Sequence, residues 1–199
     1  IGGGQDATFA QYKASANAGK TINLVSVDSR FDLGVNSDSL NANSYLSKII
    51  EDQPNYLFNF SNIGYQSFLV PNTSVQLIEN LYFDAIRLGV VRSDIEEVEP
   101  ILRNADLLSV DVSSVRLSDA PGNKQGSPNG FSGSEICQIL RYAGLGGRLT
   151  SLGIYEFDVM TDLNNQTAKL ISQMIWYFLE GYFHRMKRVV PNEDDFVKY

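Results

Sequence analysis

The hydrophobic pattern switches period along the chain, from short runs of consecutive apolar residues to apolar positions three and four apart. The runs fall at residues 21–32, 56–67, 85–91, 105–116 and 148–158. They are bounded by Gly, Pro, Asn and Asp, so each predicts a short strand, and the run around Asp111 one buried on both faces. Helical spacing fills the intervals at residues 8–17, 44–51, 72–83, from 93 onward, 132–144 and 166–184. In the third of these, Val75, Ile78, Leu81 and Tyr82 form one face. In the last, the buried face is Ile171, Met174, Ile175, Phe178, Leu179 and Tyr182, with Trp176 near its edge; this stripe reads as core or subunit contact. Ser93 with Glu96 and Ser132 with Glu135 both have the spacing of a capping box. Pro100 either kinks its helix or begins a second short segment.

Strands alternating with helices through short links predict an α/β three-layer sandwich, helices on both faces of a mostly parallel sheet. At 199 residues, 43% of them apolar, the chain can bury one substantial core, so residues 1–199 are read as one domain. Its last stretch, 188–199, is polar and expected to be loose. Residues 33–43 are rich in Gly, Asn, Ser and Asp, either a substrate-contacting loop or a plain connection, and residues 113–131 form a second long connection.

Charge and cysteine content narrow the function. A net charge of −7 without a basic stripe argues against nucleic acid. The short cluster of Arg185, Lys187 and Arg188 reads as a solvated helix end. Cys137 is the sole cysteine, which excludes an internal disulfide and fits a reducing, cytoplasmic setting. No apolar run approaches the roughly 20 residues of a membrane span. Carboxylates, in contrast, sit where strands end: Asp28 and Asp32, then Asp111, then Glu156. Ligands of open parallel sheets bind outside the carboxyl ends of the strands, so these acids are expected to meet in one crevice.

Three segments add a resemblance. GGGQD at residues 2–6, VDSRFD at 27–32 and SVDVSSVRLSDAPG at 109–122 resemble, in order and separation, the metal-binding signatures of the ureohydrolase family of arginases, agmatinases and formimidoylglutamases. SPNGFSGSE at 127–135 and the run from GIYEFD through FLEGY at 153–182 look like that family's carboxyl-terminal half, nearest its bacterial formimidoylglutamase-like branch. The resemblance implies an arginase/deacetylase-like sandwich, with further strands before the glycines in a longer protein. It also implies two manganese ions, whose hydroxide attacks a guanidino or formimidoyl carbon.

The departures reshape that expectation. Gln5 and Arg30 stand where the family has histidine ligands, and Ser113 where it has an aspartate. Asp28, Asp32 and Asp111 remain as vestigial metal positions. Glu156 matches the position that contacts the substrate's guanidino or formimidoyl end. Asn36, Asn41 and Asn43 lie in the loop that contacts its amino-acid end. The loop's proton-shuttling histidine has no counterpart, and His184 is on the last helix. Manganese is therefore expected to be weak or absent, either with Arg30 forming an ion-pair cluster with Asp28, Asp32 and Asp111 in its place or with Arg30 in solvent and the acids simply exposed. Two functions follow: reduced or absent hydrolysis of formimidoylglutamate or a guanidino compound, or a non-catalytic homologue that binds such a ligand or regulates a partner. A homo-oligomer is implied by the resemblance.

Overall fold

The structure, a computed structural model, describes residues 1–34 and 39–186; Asn36 and the tail at 188–199 lie outside the described residues. Five strands form one wholly parallel sheet: β1 (Ile22–Val27), β2 (Leu57–Tyr65), β3 (Asp84–Arg87), β4 (Leu107–Asp111) and β5 (Ser151–Tyr155). Their order across the sheet is β3-β2-β1-β4-β5. Helices α1 (Ala7–Asn17), α2 (Tyr45–Glu51) and α3 (Asn72–Asn80) and helices α4 (Leu88–Ser93), α5 (Glu99–Arg103), α6 (Gly133–Leu145) and α7 (Gln166–Met186) complete the chain.

Alternation along each strand divides the core in two. Ile22, Leu24, Phe60 and Leu107 face Tyr12 of α1, Leu46 and Ile49 of α2 and Ile78 of α3. Val25, Val27, Ile63, Leu108, Val110 and Ile154 face the other way, onto α4 to α7. This is the expected three-layer sandwich, and it explains the consecutive apolar residues of β1 and β4.

Several local expectations are corrected. The run at 85–91 splits after Arg87, because Leu88 and Val91, three apart, are both buried on one side of α4. Ser93 ends that helix rather than capping the next; Asp94 instead accepts from the Glu96 amide at 3.1 Å. Pro100 lies in the first turn of α5, so it begins a segment and bends none. Ser132 and Glu135 do form the full capping box of α6. Tyr82 leaves the α3 face altogether, 92% exposed with φ +58°, and Leu179 points outward on α7.

Helix α7 meets α6 through two glycines. A Cβ on Gly144 would strike the Phe178 carbonyl oxygen, and one on Gly181 the Arg141 carbonyl oxygen. A Gly144→Val substitution is therefore expected to destabilise by about 1–3 kcal/mol through overpacking. The gain in helix propensity over glycine, under about 1 kcal/mol, is too small to offset this. A thermal melt checks the outcome: Tm falls by several degrees, whereas an unchanged Tm would mean the helices separate freely.

Candidate functional site

The chain lays β1, β2 and β3 outward in one direction and then returns to place β4 and β5 on the other side of β1. The crevice of a doubly wound sheet opens where that direction reverses, between β1 and β4. Val27 pairs with Val110, so Asp28 and Asp111 leave the sheet side by side. Asp111 pairs with Tyr155, which brings Glu156 to the same edge. Asp32 follows in a turn with φ +50° and Glu156 has φ +61°, left-handed positions that cost a residue with a side chain on the order of 1 kcal/mol each. The glycine segment passes directly above: Gly3, at φ +79°, accepts from the Glu156 amide at 3.0 Å, and the Gln5 amide donates to Glu156 Oε1 at 2.9 Å. The four acids expected at the strand ends thus meet in one place.

The three exchanged positions differ in what they do. Gln5 is 1% exposed and its carboxamide stands between two carboxyls. With its nitrogen toward them it donates to Asp28 Oδ2 at 3.0 Å and Asp32 Oδ2 at 3.1 Å, while its oxygen accepts from Ser109 Oγ at 3.2 Å and Ser26 Oγ at 3.3 Å. The opposite orientation would set the amide oxygen against acid oxygens, so the first is the one the surroundings support. Ser113 turns back onto Asp111: its amide donates to Oδ1 at 2.6 Å and its hydroxyl to Oδ2 at 2.7 Å. Arg30 forms no ion pair with the acids, against the expected cluster, although its charge still acts to lower Asp28 and Asp32. Its main-chain amide donates to Asp28 Oδ1 at 2.8 Å, but its guanidinium reaches away to Gln125 Oε1 at 3.1 Å. The turn that carries Asp28 and Asp32 inward carries the side chain between them outward.

A buried polar layer that the sequence reading missed lies beneath. Ser26 and Ser109 are paired across β1 and β4, Thr8 Oγ1 bonds Ser109 Oγ at 2.7 Å, and the Tyr45 hydroxyl lies 3.2 Å from Ser26 Oγ. A serine next to the apolar pairs Leu24–Val25 and Leu107–Leu108 was the available signal.

These carboxyls are not ordinary. Burial first, and then the charge of Asp32, pushes Asp28 well above the carboxylate range. Burial likewise raises Asp111, with the Asp28 charge adding to it. Asp32 rises to about 7, chiefly through burial. Asp28 and Asp32 are hydrogen-bonded to each other, as two carboxyls are when they share a proton.

Does this donor set fit two manganese ions? Such centres combine imidazole with bridging carboxylates whose lone pairs are free. Here no imidazole is present, since His184 is on α7 with its Nδ1 at the Glu180 carbonyl, 2.8 Å away. Both oxygens of Asp28 and of Asp111 are already engaged by this chain's own donors, as is Oδ2 of Asp32. Among the described residues, no group of three or more His, Cys, Asp or Glu side chains is arranged to hold a metal. The residues do not fit the pair of ions.

Three recesses surround the strand ends or lie apart from them. One of about 240 Å³ is bordered by Glu156, Gly3, Gly4 and Phe157. A second, about 280 Å³, runs past Arg30, Asp32, Asn43 and Pro71. A larger groove of about 470 Å³ opens at the amino ends of the strands, among Asn23, Asp84 and Arg148, away from the acids. No helix of the described residues is long and apolar enough to cross a membrane.

Comparison with known proteins places these observations. Residues 1–180 match the arginase family. Formimidoylglutamase of Staphylococcus carnosus is 23% identical over 191 residues, covering 92% of this chain and 60% of that protein. The Staphylococcus aureus (strain JH9) enzyme is 22% identical over 186 residues, covering 90% and 60%. The chain thus spans about 60% of the length of these curated relatives. Among solved structures, Trypanosoma cruzi formiminoglutamase with manganese superposes with a TM-score of 0.83 at 18% identity, over 92% of this chain and 64% of that one. Formimidoylglutamase from Bacillus subtilis gives 0.80 at 18%, over 92% and 59%. At such identity the superpositions speak to the fold.

Proposed function

This chain belongs to the arginase family, and from that premise we propose that it keeps the family's ligand crevice without its two-metal hydrolysis. It binds a small amidinium or guanidinium compound and does not hydrolyse it. One observation carries the reading: Asp28, Asp32, Asp111 and Glu156 act electrostatically on one another, yet among the described residues none is in an ion pair. Burial raises Asp28, Asp32 and Asp111, the Arg30 charge offsetting it only in part at the first two, and a planar organic cation bearing N–H donors re-ionises and satisfies them. Glu156 is the contact, held at the mouth of its recess by Gly3 and by the Gln5 amide. The guanidinium of Arg30, beside the groove past Asp32 and Asn43, suits a carboxylate at the ligand's other end. Formimidoylglutamate combines both groups, and formimidoylglutamase is the name its curated relatives carry.

The same reading has the protein working in the cytoplasm, with Cys137 a buried free thiol, and as a homo-oligomer; Trp176 and Phe183, each 58% exposed on α7, support the latter. The test pairs a thermal-shift titration with an assay. In metal-free buffer, formimidoylglutamate, arginine or agmatine raises Tm by several degrees at saturation, and Glu156→Gln abolishes the rise. With added manganese the same protein forms product no faster than the uncatalysed reaction. Manganese-dependent turnover, or no shift with any of the three compounds, overturns the proposal.

A further inference from the structure

We infer that Gln5 is the single residue that keeps a divalent ion off the Asp28–Asp32 pair, and that this pair is otherwise competent to hold one. The three exchanged positions are not equivalent. Ser113 engages only Asp111, and the Arg30 guanidinium has left the cluster for Gln125. Only the Gln5 side chain bonds two carboxyls at once, 3.0 Å from one and 3.1 Å from the other. A divalent ion sits about 2.0–2.6 Å from its carboxylate oxygens. An ion placed to touch both acids would therefore collide with the amide nitrogen, so amide and ion exclude each other.

The amide is also fixed in place. Its main-chain nitrogen is tied to Glu156, its oxygen end to Ser26 and Ser109, and the latter to Thr8, all within a buried layer. Swinging it aside would cost two acids and two hydroxyls one hydrogen bond each. A metal arriving from solvent therefore has to displace a full set of hydrogen bonds. An imidazole carried at position 5 removes that competition and adds a nitrogen donor to two carboxylates, a set that suits manganese or zinc with water completing the shell. The inference is independent of the ligand reading of Glu156.

The test loads the wild-type protein and the variants Gln5→His, Gln5→Ala, Arg30→His and Ser113→Asp with manganese chloride. Unbound metal is removed by dialysis, metal is counted by elemental analysis, and each protein is melted with and without manganese. Wild type, Arg30→His and Ser113→Asp are expected to keep only traces and to melt unchanged. Gln5→His keeps about one ion per chain and melts higher with manganese. Gln5→Ala, which vacates the position without supplying a donor, melts higher with manganese but loses it on dialysis. Should Gln5→His fail to fold, Gln5→Glu replaces it in the same measurement. Stoichiometric manganese on wild type overturns the inference, as does a folded Gln5→His that ignores the metal. Neither result touches the metal-free ligand titration, so the two proposals fail separately.

Discussion

Restoring all three exchanged positions together, Gln5→His with Arg30→His and Ser113→Asp, is expected to turn a protein that ignores manganese into one that holds two ions per chain. The structure gives each change its own task. Gln5→His frees Asp28 and Asp32, Ser113→Asp frees Asp111 from the hydroxyl and adds a carboxylate, and Arg30→His removes a permanent cation whose charge reaches Asp28 and Asp32. At manganese about a hundredfold above its dissociation constant, binding to the folded state alone adds about 2.7 kcal/mol of stability. In a chain of this size that raises Tm by roughly 5–10 °C. Calorimetric melts with and without manganese, alongside elemental analysis, read the effect. A folded triple variant with no metal and no shift would show that the residues orienting these ligands have changed as well, and that the three exchanges alone do not account for the loss.

The second large effect is on pH. An acid whose folded pKa lies above its unfolded value holds its proton in the native state and releases it on unfolding. Its stabilisation is complete below the unfolded pKa and is lost as pH rises through the folded one. Asp32 moves from 3.8 to about 7, and Asp28 and Asp111 are raised well above the ordinary carboxylate value. Metal-free protein is therefore expected to lose stability from about pH 5 to about pH 8, where ordinary carboxylates are already ionised and contribute no slope. One excess proton gives about 1.4 kcal/mol per pH unit, so a total on the order of 2–4 kcal/mol is expected across that window. Urea denaturation at several pH values measures it, and Asp32→Asn flattens the curve. Stability that rises over this range without metal would contradict a buried acid cluster that lacks an ion pair.

How far the sequence reveals this depends on what kind of fact is asked. Strands β1 and β4 were legible because a strand buried on both faces keeps apolar residues at consecutive positions. The convergence of Asp28, Asp32, Asp111 and Glu156 was legible because parallel topology sends every strand's carboxyl end to the same side. The helix at Leu88–Ser93 was not, since three apolar residues in six fit either period. The Arg30 cluster was misread for a related reason. Opposite charges two residues apart pair only if the turn points them the same way, and with Asp32 at φ +50° it does not. The role of Gln5 was out of reach, because a polar residue between a glycine loop and a helix carries no periodic signal. Only its distances to two acids disclose it.

Diffraction at the manganese absorption edge, from crystals grown in millimolar manganese, tests most directly whether this chain's own donors have taken the place of ions. The expected map shows no anomalous peak among Asp28, Asp32 and Asp111, with the Gln5 amide nitrogen within hydrogen-bonding distance of both Asp28 and Asp32. One or two manganese peaks bonded to those carboxylates, with Gln5 swung aside, would contradict it.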